Sequence, residues 1–421
     1  MTALYSRPRL GPGKEADAAV GGVDLHGAER KDECSCGRDK RTGEATPAAP
    51  DAPHQQGVAR PYNQESTMQR RSFLKRAAVA VGGTALGAPD VLGAEAALAT
   101  RTAETSEGMP RRTVGRTGIR ASIVGFPGLC LVHDDQRRCT EGIRAALERG
   151  VNYFDVAPAY GNGDAETKMG IGLDGVDRSR YTLACKTKMR DRQGARQELE
   201  RSLRRLRTDH FDVYQLHALR QPAEVRRALG PGGAIETFLK AREEGKVRFL
   251  GFSAHTTKAA LLAMKLFRFD TVMFPINFVE YFTLGFGKPV LELANRQGAA
   301  VLAIKPMCRG AWPEGVERTR RWWYRPVEDD REIDLVLRFT LSQPGVVLGM
   351  PPAFLDLAQK AFETGRAFRP IQEDEVETLR KLAASCLSIF RREEERVARG
   401  LPADEPLYAD SPHETCPCAH A

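Results

Sequence analysis

The chain has 421 residues, a formal net charge of +8, 42% hydrophobic and 28% charged residues. These proportions exclude a wholly disordered chain, a collagen-like fibre and a small disulfide scaffold, and they accommodate one large domain or two ordinary ones. No run of eighteen apolar residues occurs, which excludes a bilayer-spanning helix. The basic residues are interleaved with acidic ones (Arg201, Arg204, Arg205 and Arg207 beside Glu198, Glu200 and Asp209), as on a solvated helix face rather than a nucleic-acid surface.

Residues 1–67 are rich in Ala, Gly, Pro and Asp and show neither helical nor strand periodicity, so they are expected to be disordered. Cys34 and Cys36 lie here without a second metal-ligand pair. Residues 68–99 differ. Met68-Gln69-Arg70-Arg71-Ser72-Phe73-Leu74-Lys75-Arg76 is basic, Ala77 to Ala88 is apolar but too short to span, and small residues follow around Ala94-Glu95-Ala96 and Ala97-Leu98-Ala99. That order is expected of a cleavable signal peptide. The Arg-Arg-x-Phe-Leu-Lys core resembles a twin-arginine export signal, which implies the twin-arginine machinery as partner, a periplasmic or extracytoplasmic destination and no stable membrane anchor in the mature form. Its position makes Met68 the expected start of translation.

From residue 110 to about 370 the pattern is regular. Short apolar runs at Ser122–Phe126, Asn152–Asp155, Tyr181–Lys186, Asp212–His217, Val247–Ser253, Thr271–Asn277, Ala300–Lys305 and Val346–Met350 read as strands. Amphipathic segments such as Cys139–Arg149 and Gly194–Leu206 separate them, and Gly150, Gly245 and Gly298 stand where helices should end. Alternating strand and helix implies parallel strands with right-handed crossovers, and eight units predict a (β/α)8 TIM barrel. The absence of Gly-x-Gly-x-x-Gly after the first strand argues against a dinucleotide-binding open sheet. Arg112 to Ile119 reads as an N-terminal hairpin able to plug the barrel floor, and residues 371–421 as a C-terminal helix and tail, with Arg391–Arg396 an exposed helix.

Active sites of such barrels lie at the C-terminal strand ends. There the sequence offers Asp155 with Tyr160 just beyond it, Lys186, His217, Ser253, Asn277, Lys305 and Gly349. Each alone has an ordinary explanation, as a loop cap, a packing aromatic or a solvated lysine. Asp, Tyr, Lys and His converging from three successive strands are together the material of proton transfer.

Four separated motifs then agree in order: Asp155-Val156-Ala157-Pro158-Ala159-Tyr160-Gly161-Asn162-Gly163 with Glu166 and Gly170; Thr182-Leu183-Ala184-Cys185-Lys186; Asp212-Val213-Tyr214-Gln215-Leu216-His217; and Gly245-Lys246-Val247-Arg248-Phe249-Leu250-Gly251-Phe252-Ser253. Over residues 111–365 the chain resembles the aldo-keto reductase family. The resemblance implies NAD(P)H-dependent reduction of a small-molecule carbonyl to an alcohol. Tyr160 would be the proton donor, Lys186 would lower its pKa, Asp155 would pair with Lys186, and His217 would orient the carbonyl. Lys188 is a rival to Lys186, which is preferred for its place in the motif. Ser253, Asn277, Lys305, Gly349 and Gln359 are the implied cofactor contacts. Family residues are replaced at Cys185, Ala254, Phe278 and Leu355, yet family habit implies NADP(H) over NAD(H).

No metal site is expected. The cysteines are scattered, and Cys416 and Cys418 are too few for the iron–sulfur module of some relatives. Two other readings stand beside the reductase: a Schiff-base barrel using Lys186 or Lys305, and a nucleotide-binding sensor that does not turn over. Trp312, Trp322, Trp323 and Tyr324 suit either an apolar pocket wall or loop packing.

Overall fold

The computed structural model describes residues 108–402. The expected upstream segment, the expected signal peptide and the Cys416–Cys418 tail lie outside the described residues. A hairpin comes first, β1 (Arg111–Thr113) pairing antiparallel with β2 (Arg120–Ser122). Its turn holds Gly115 at φ 51. A Cβ there would stand 2.8 Å from the Gly298 carbonyl and 2.9 Å from the Ala300 amide, so glycine is what lets the hairpin approach the sheet this closely. Val114 and Ala121 join Tyr153, Val213 and Leu302 in the buried cluster inside the barrel, and the hairpin closes the floor.

Eight parallel strands follow, each hydrogen-bonded to the next: β3 (Phe126–Pro127), β4 (Tyr153–Asp155), β5 (Thr182–Thr187), β6 (Phe211–Leu219), β7 (Val247–Ala254), β8 (Thr271–Pro275), β9 (Ala300–Ile304) and β10 (Val346–Met350). The ring is joined beside β3, where Gly125 N–H donates to the Gly349 carbonyl (3.1 Å) and Gly349 N–H to the Ile123 carbonyl (2.9 Å). This is the expected (β/α)8 architecture.

The strand limits depart from the sequence reading where backbone groups find other partners. Ser122 belongs to the hairpin, because its N–H is taken by the Asn152 side chain (2.7 Å) rather than by a barrel neighbour. At the other rim β6 runs past His217 to Leu219 through a register shift, with Ala218 at φ 53. Asn277 falls outside β8.

The helices around the strands are α1 (Gln136–Glu148), α2 (Asp164–Gly172), α3 (Arg192–Arg205), α4 (Pro222–Leu229), α5 (Ala234–Glu243), α6 (Thr257–Leu266), α7 (Phe278–Leu284), α8 (Lys288–Gln297), α9 (Asp330–Leu341) and α10 (Leu355–Arg366). Their starts obey capping chemistry. Asp135, Asp191, Thr256 and Asn277 each accept a first-turn N–H, offsetting donors that the helix itself leaves unpaired. Two more helices follow, α11 (Glu373–Ala383) and α12 (Arg391–Ala398). The second is not simply exposed, as the sequence had suggested. Glu393 and Val397 are buried, and Glu393 accepts from Arg220 at 3.0 Å. An acidic residue facing inward leaves no apolar trace in the sequence.

Candidate active site

Side chains of a strand alternate between its two faces. Tyr153, Ala184 and Val213 point into the barrel, so Asp155, Lys186 and the pair Gln215/His217, two or four residues further on, point the same way at the upper rim. Cys185 and Tyr214 face the helices instead. The alternation thus aims three adjacent strands at one point.

Tyr160 arrives from the loop after β4. Gly161 (φ 59), Asn162 (φ 52) and Gly163 (φ 91) form a left-handed run that turns the chain sharply into α2. A Cβ on Gly163 would collide with the Arg205 guanidinium, which donates to buried Glu166 at 3.1 Å. Gly170 lies against the backbone of Arg205 and Leu206. The motif's glycines and Glu166 therefore hold the Tyr160 loop down on α3.

At the centre stands Lys186, fully buried, with its ammonium bonded to the Asp155 carboxylate and donating to the Tyr160 hydroxyl (3.1 Å) and the Val156 carbonyl (3.3 Å). Gln215 donates to the second Asp155 oxygen (3.1 Å). The Tyr160 ring meets His217 edge-on, centroids 5.5 Å apart. Burial alone would discharge Lys186, but Asp155 and the Tyr160 oxygen more than offset it, and its pKa is raised. Burial also raises the Tyr160 phenol, with Lys186 pulling the other way. The expected lowering of the Tyr160 pKa is thus outweighed by burial: the phenol keeps its proton, beside a cation that stabilises the phenolate left on releasing it.

These four residues line one cavity of about 620 Å3, counted out to its solvent mouth. Ser253 and Lys305 line it too. Ser253 Oγ accepts from Ala218 N–H (2.7 Å), the amide freed by the irregularity in β6, and keeps its own proton to donate. The remaining expected contacts are not brought to this cavity. Asn277 caps α7 through Glu280 N–H, with its Nδ2 buried and without a hydrogen-bond partner among the described residues. Gly349 has both backbone groups bound in barrel closure, and Gln359 is exposed on α10. Lys188 lies beyond the end of β5 and is not part of the lining. The lining also includes residues that motif reading passed over, His255, Met273, Met350 and Pro352 among them. His255 stands two residues past Ser253 at a strand end, the one signal that pointed to it. Trp322 and Trp323 wall the cavity, whereas Trp312 bonds within its own loop, to the Trp322 carbonyl at 2.8 Å. Among the described residues, no group of three His, Cys, Asp or Glu is arranged to hold a metal ion.

A nicotinamide ring fits this lining in part. Uncharged walls from Met273, Ile304 and Met350 suit its flat face, and the Ser253 hydroxyl suits its carboxamide. The loop after β10 suits a phosphate poorly, since Pro351 and Pro352 carry no N–H. Arg320, near that loop, is engaged by Asp356 and Glu328.

A sequence profile of the Aldo/keto reductase family matches residues 133–385. Aldo-keto reductase YhdN of Bacillus subtilis (strain 168) is 29% identical over 224 residues, 48% of this chain and 63% of that protein. L-galactose dehydrogenase of Arabidopsis thaliana is 31% identical over 157 residues, 34% of this chain and 47% of that one. The matched regions thus span about half to two-thirds of these curated relatives. The holo form of an aldo-keto reductase from Bacillus halodurans superposes with a TM-score of 0.55 at 22% identity, covering 68% of this chain and 99% of the other. A Klebsiella pneumoniae aldo-keto reductase solved in complex with NADPH gives 0.52 at 19% identity, covering 66% and 96%. At such identities the likeness establishes the fold.

Proposed function

The chain belongs to the aldo/keto reductase family, and from that premise we propose that it reduces an aldehyde or ketone to an alcohol with Tyr160 as proton donor. The observation that carries this reading is Lys186 held between Asp155 and the Tyr160 hydroxyl inside one cavity. A bound reduced nicotinamide supplies the hydride that the reaction needs. Negative charge then grows on the carbonyl oxygen, and the work of the protein is to meet it. Tyr160 gives that oxygen its proton, and the Lys186 ammonium stabilises the phenolate that remains. Asp155 keeps Lys186 charged and in place. His217, edge-on to Tyr160, orients the carbonyl oxygen toward the phenol, and the Ser253 hydroxyl holds the carboxamide.

NADP(H) is the proposed nucleotide, on the support of the family and of the relative solved with NADPH. No iron–sulfur cluster enters the proposal, since two tail cysteines do not make the close array of four that one requires. The barrel is proposed to act outside the cytoplasm after export by the twin-arginine machinery, on the support of the Arg70-Arg71-Ser72-Phe73-Leu74-Lys75 core and the small residues near position 96.

Turnover is tested by mixing the protein with NADPH or NADH and a reactive aromatic aldehyde and following the reduced-nicotinamide absorbance. Aldehyde-dependent loss, faster with NADPH, is expected; cofactor binding without turnover would replace the reductase by a sensor. Export is tested by sequencing the N-terminus of the natural protein, expected to begin close to residue 97 or residue 100.

A further inference from the structure

Lys305 is the second lysine of the cavity, and the proton relay has no use for it. It follows directly on β9 at φ 61, a left-handed conformation uncommon for a residue with a side chain. Its ammonium stands 3.3 Å from His255 Nε2, 5.5 Å from the Trp323 ring centroid and 5.8 Å from that of Phe390. Among the described residues no carboxylate lies within ion-pair distance of it. Lys186 shows the contrast, buried on the same rim with Asp155 as its counter-ion.

A lysine set among aromatic faces without a counter-ion is costly to charge. Burial accordingly lowers its pKa to about 7. The ring faces hold part of the charge. The ammonium is within hydrogen-bond reach of His255 Nε2, which accepts from it when the ring proton sits on Nδ1, and two further donors are left for whatever enters. One positive charge matches one negative charge, a carboxylate rather than a phosphate dianion.

Building on the reductase reading, we propose that Lys305, backed by His255, receives the carboxylate of the substrate, so that the enzyme prefers carbonyl compounds carrying an acid group on an apolar body. Trp322, Leu129 and Met350 supply the apolar walls of the same cavity.

The test compares 4-carboxybenzaldehyde with its uncharged methyl ester, methyl 4-formylbenzoate. In the wild type the acid is expected to have the higher kcat/KM. In Lys305→Met the ratio of acid to ester is expected to fall about 30-fold or more, the loss typical of removing one partner of a buried charge pair. A wild-type preference for the ester, or an unchanged ratio in the variant, overturns the proposal while leaving the reductase intact. Turnover of neither aldehyde overturns the reductase reading, and binding then decides the Lys305 site separately. Benzoate, followed by tryptophan fluorescence, should bind about 30-fold more tightly to wild type than to Lys305→Met, and equal binding overturns the site. NADPH binding weakened in the variant with benzoate binding unchanged would assign the anion to the nucleotide phosphates and overturn the substrate-carboxylate proposal. His255→Gln, which leaves Lys305 in place, should shift the acid-to-ester ratio in the same direction by a smaller factor; no shift removes His255 from the site.

Discussion

Replacing Asp155 with Asn leaves the shape of the site almost intact and removes one charge. In the structure the Asp155 carboxylate takes Lys186 on one oxygen and Gln215 on the other, and both members of the ion pair are buried. An Asn must turn its NH2 toward one of those two donors, and in either orientation the Lys186 ammonium loses its counter-ion and keeps only neutral partners, the Tyr160 hydroxyl and the Val156 carbonyl among them. Breaking a buried pair by removing one partner costs about 3–5 kcal/mol, so urea denaturation should register a loss of that size near pH 7. The double variant Asp155→Asn, Lys186→Met should regain much of it, because no uncompensated charge remains. The pH dependence has a definite sign. In the wild type Lys186 has a raised pKa, so its stabilisation is fully present below the unfolded value of about 10.4 and fades only as pH rises through the higher folded value. In the Asn variant the folded value drops below the unfolded one, and stability climbs as pH rises from neutrality toward about 10. The gap between the two proteins should therefore narrow with pH. A loss under about 1 kcal/mol, or a gap independent of pH, would refute the claim that Lys186 is an ammonium held by Asp155.

Three further outcomes follow from the same geometry. Because burial raises the Tyr160 phenol, reduction should show no loss of its proton donor from about pH 6 to 9, while alcohol oxidation, which needs the phenolate, should accelerate with pH; a reduction rate titrating away near neutrality would contradict this. Gly163→Ala, at φ 91 against Arg205, should cost at least about 2 kcal/mol in denaturation experiments, and a change within about 0.5 kcal/mol would show that the loop adapts. Glu280 accepts from the Ser388 hydroxyl (2.6 Å) and Ile389 N–H (2.8 Å), so Glu280→Met should speed hydrogen exchange at the Ile389 amide; unchanged protection there would mean that the segment leading into α12 is held by its apolar contacts.

The barrel was legible in the sequence because its signals are local. Apolar runs separated by amphipathic helices, with Gly150, Gly245 and Gly298 closing three of them, need no knowledge of what touches what. Lys186 and the three residues around it were legible for a related reason: strand alternation places Asp155, Lys186 and His217 on the inner face, and the glycines after Tyr160 mark the turn that returns it. The cofactor contacts were harder to read. Gly349 looks like an open strand end in one dimension, yet barrel closure takes both its backbone groups. Asn277 looks like a strand-end donor, yet it caps α7 and does not line the cavity. The pairing of Lys305 with His255 joins residues fifty positions apart, and the inward face of α12 depends on Arg220 in a distant loop. Neither leaves a periodicity to find.

The most direct measurement is the rate of NADPH oxidation with a reactive aromatic aldehyde for wild type and Tyr160→Phe, with NADPH binding followed in both. The variant removes one hydroxyl and keeps the ring against His217. Turnover in the wild type that drops about 100- to 10,000-fold in the variant, with cofactor binding retained, is the expected result. Equal rates in the two proteins would contradict the account at its centre.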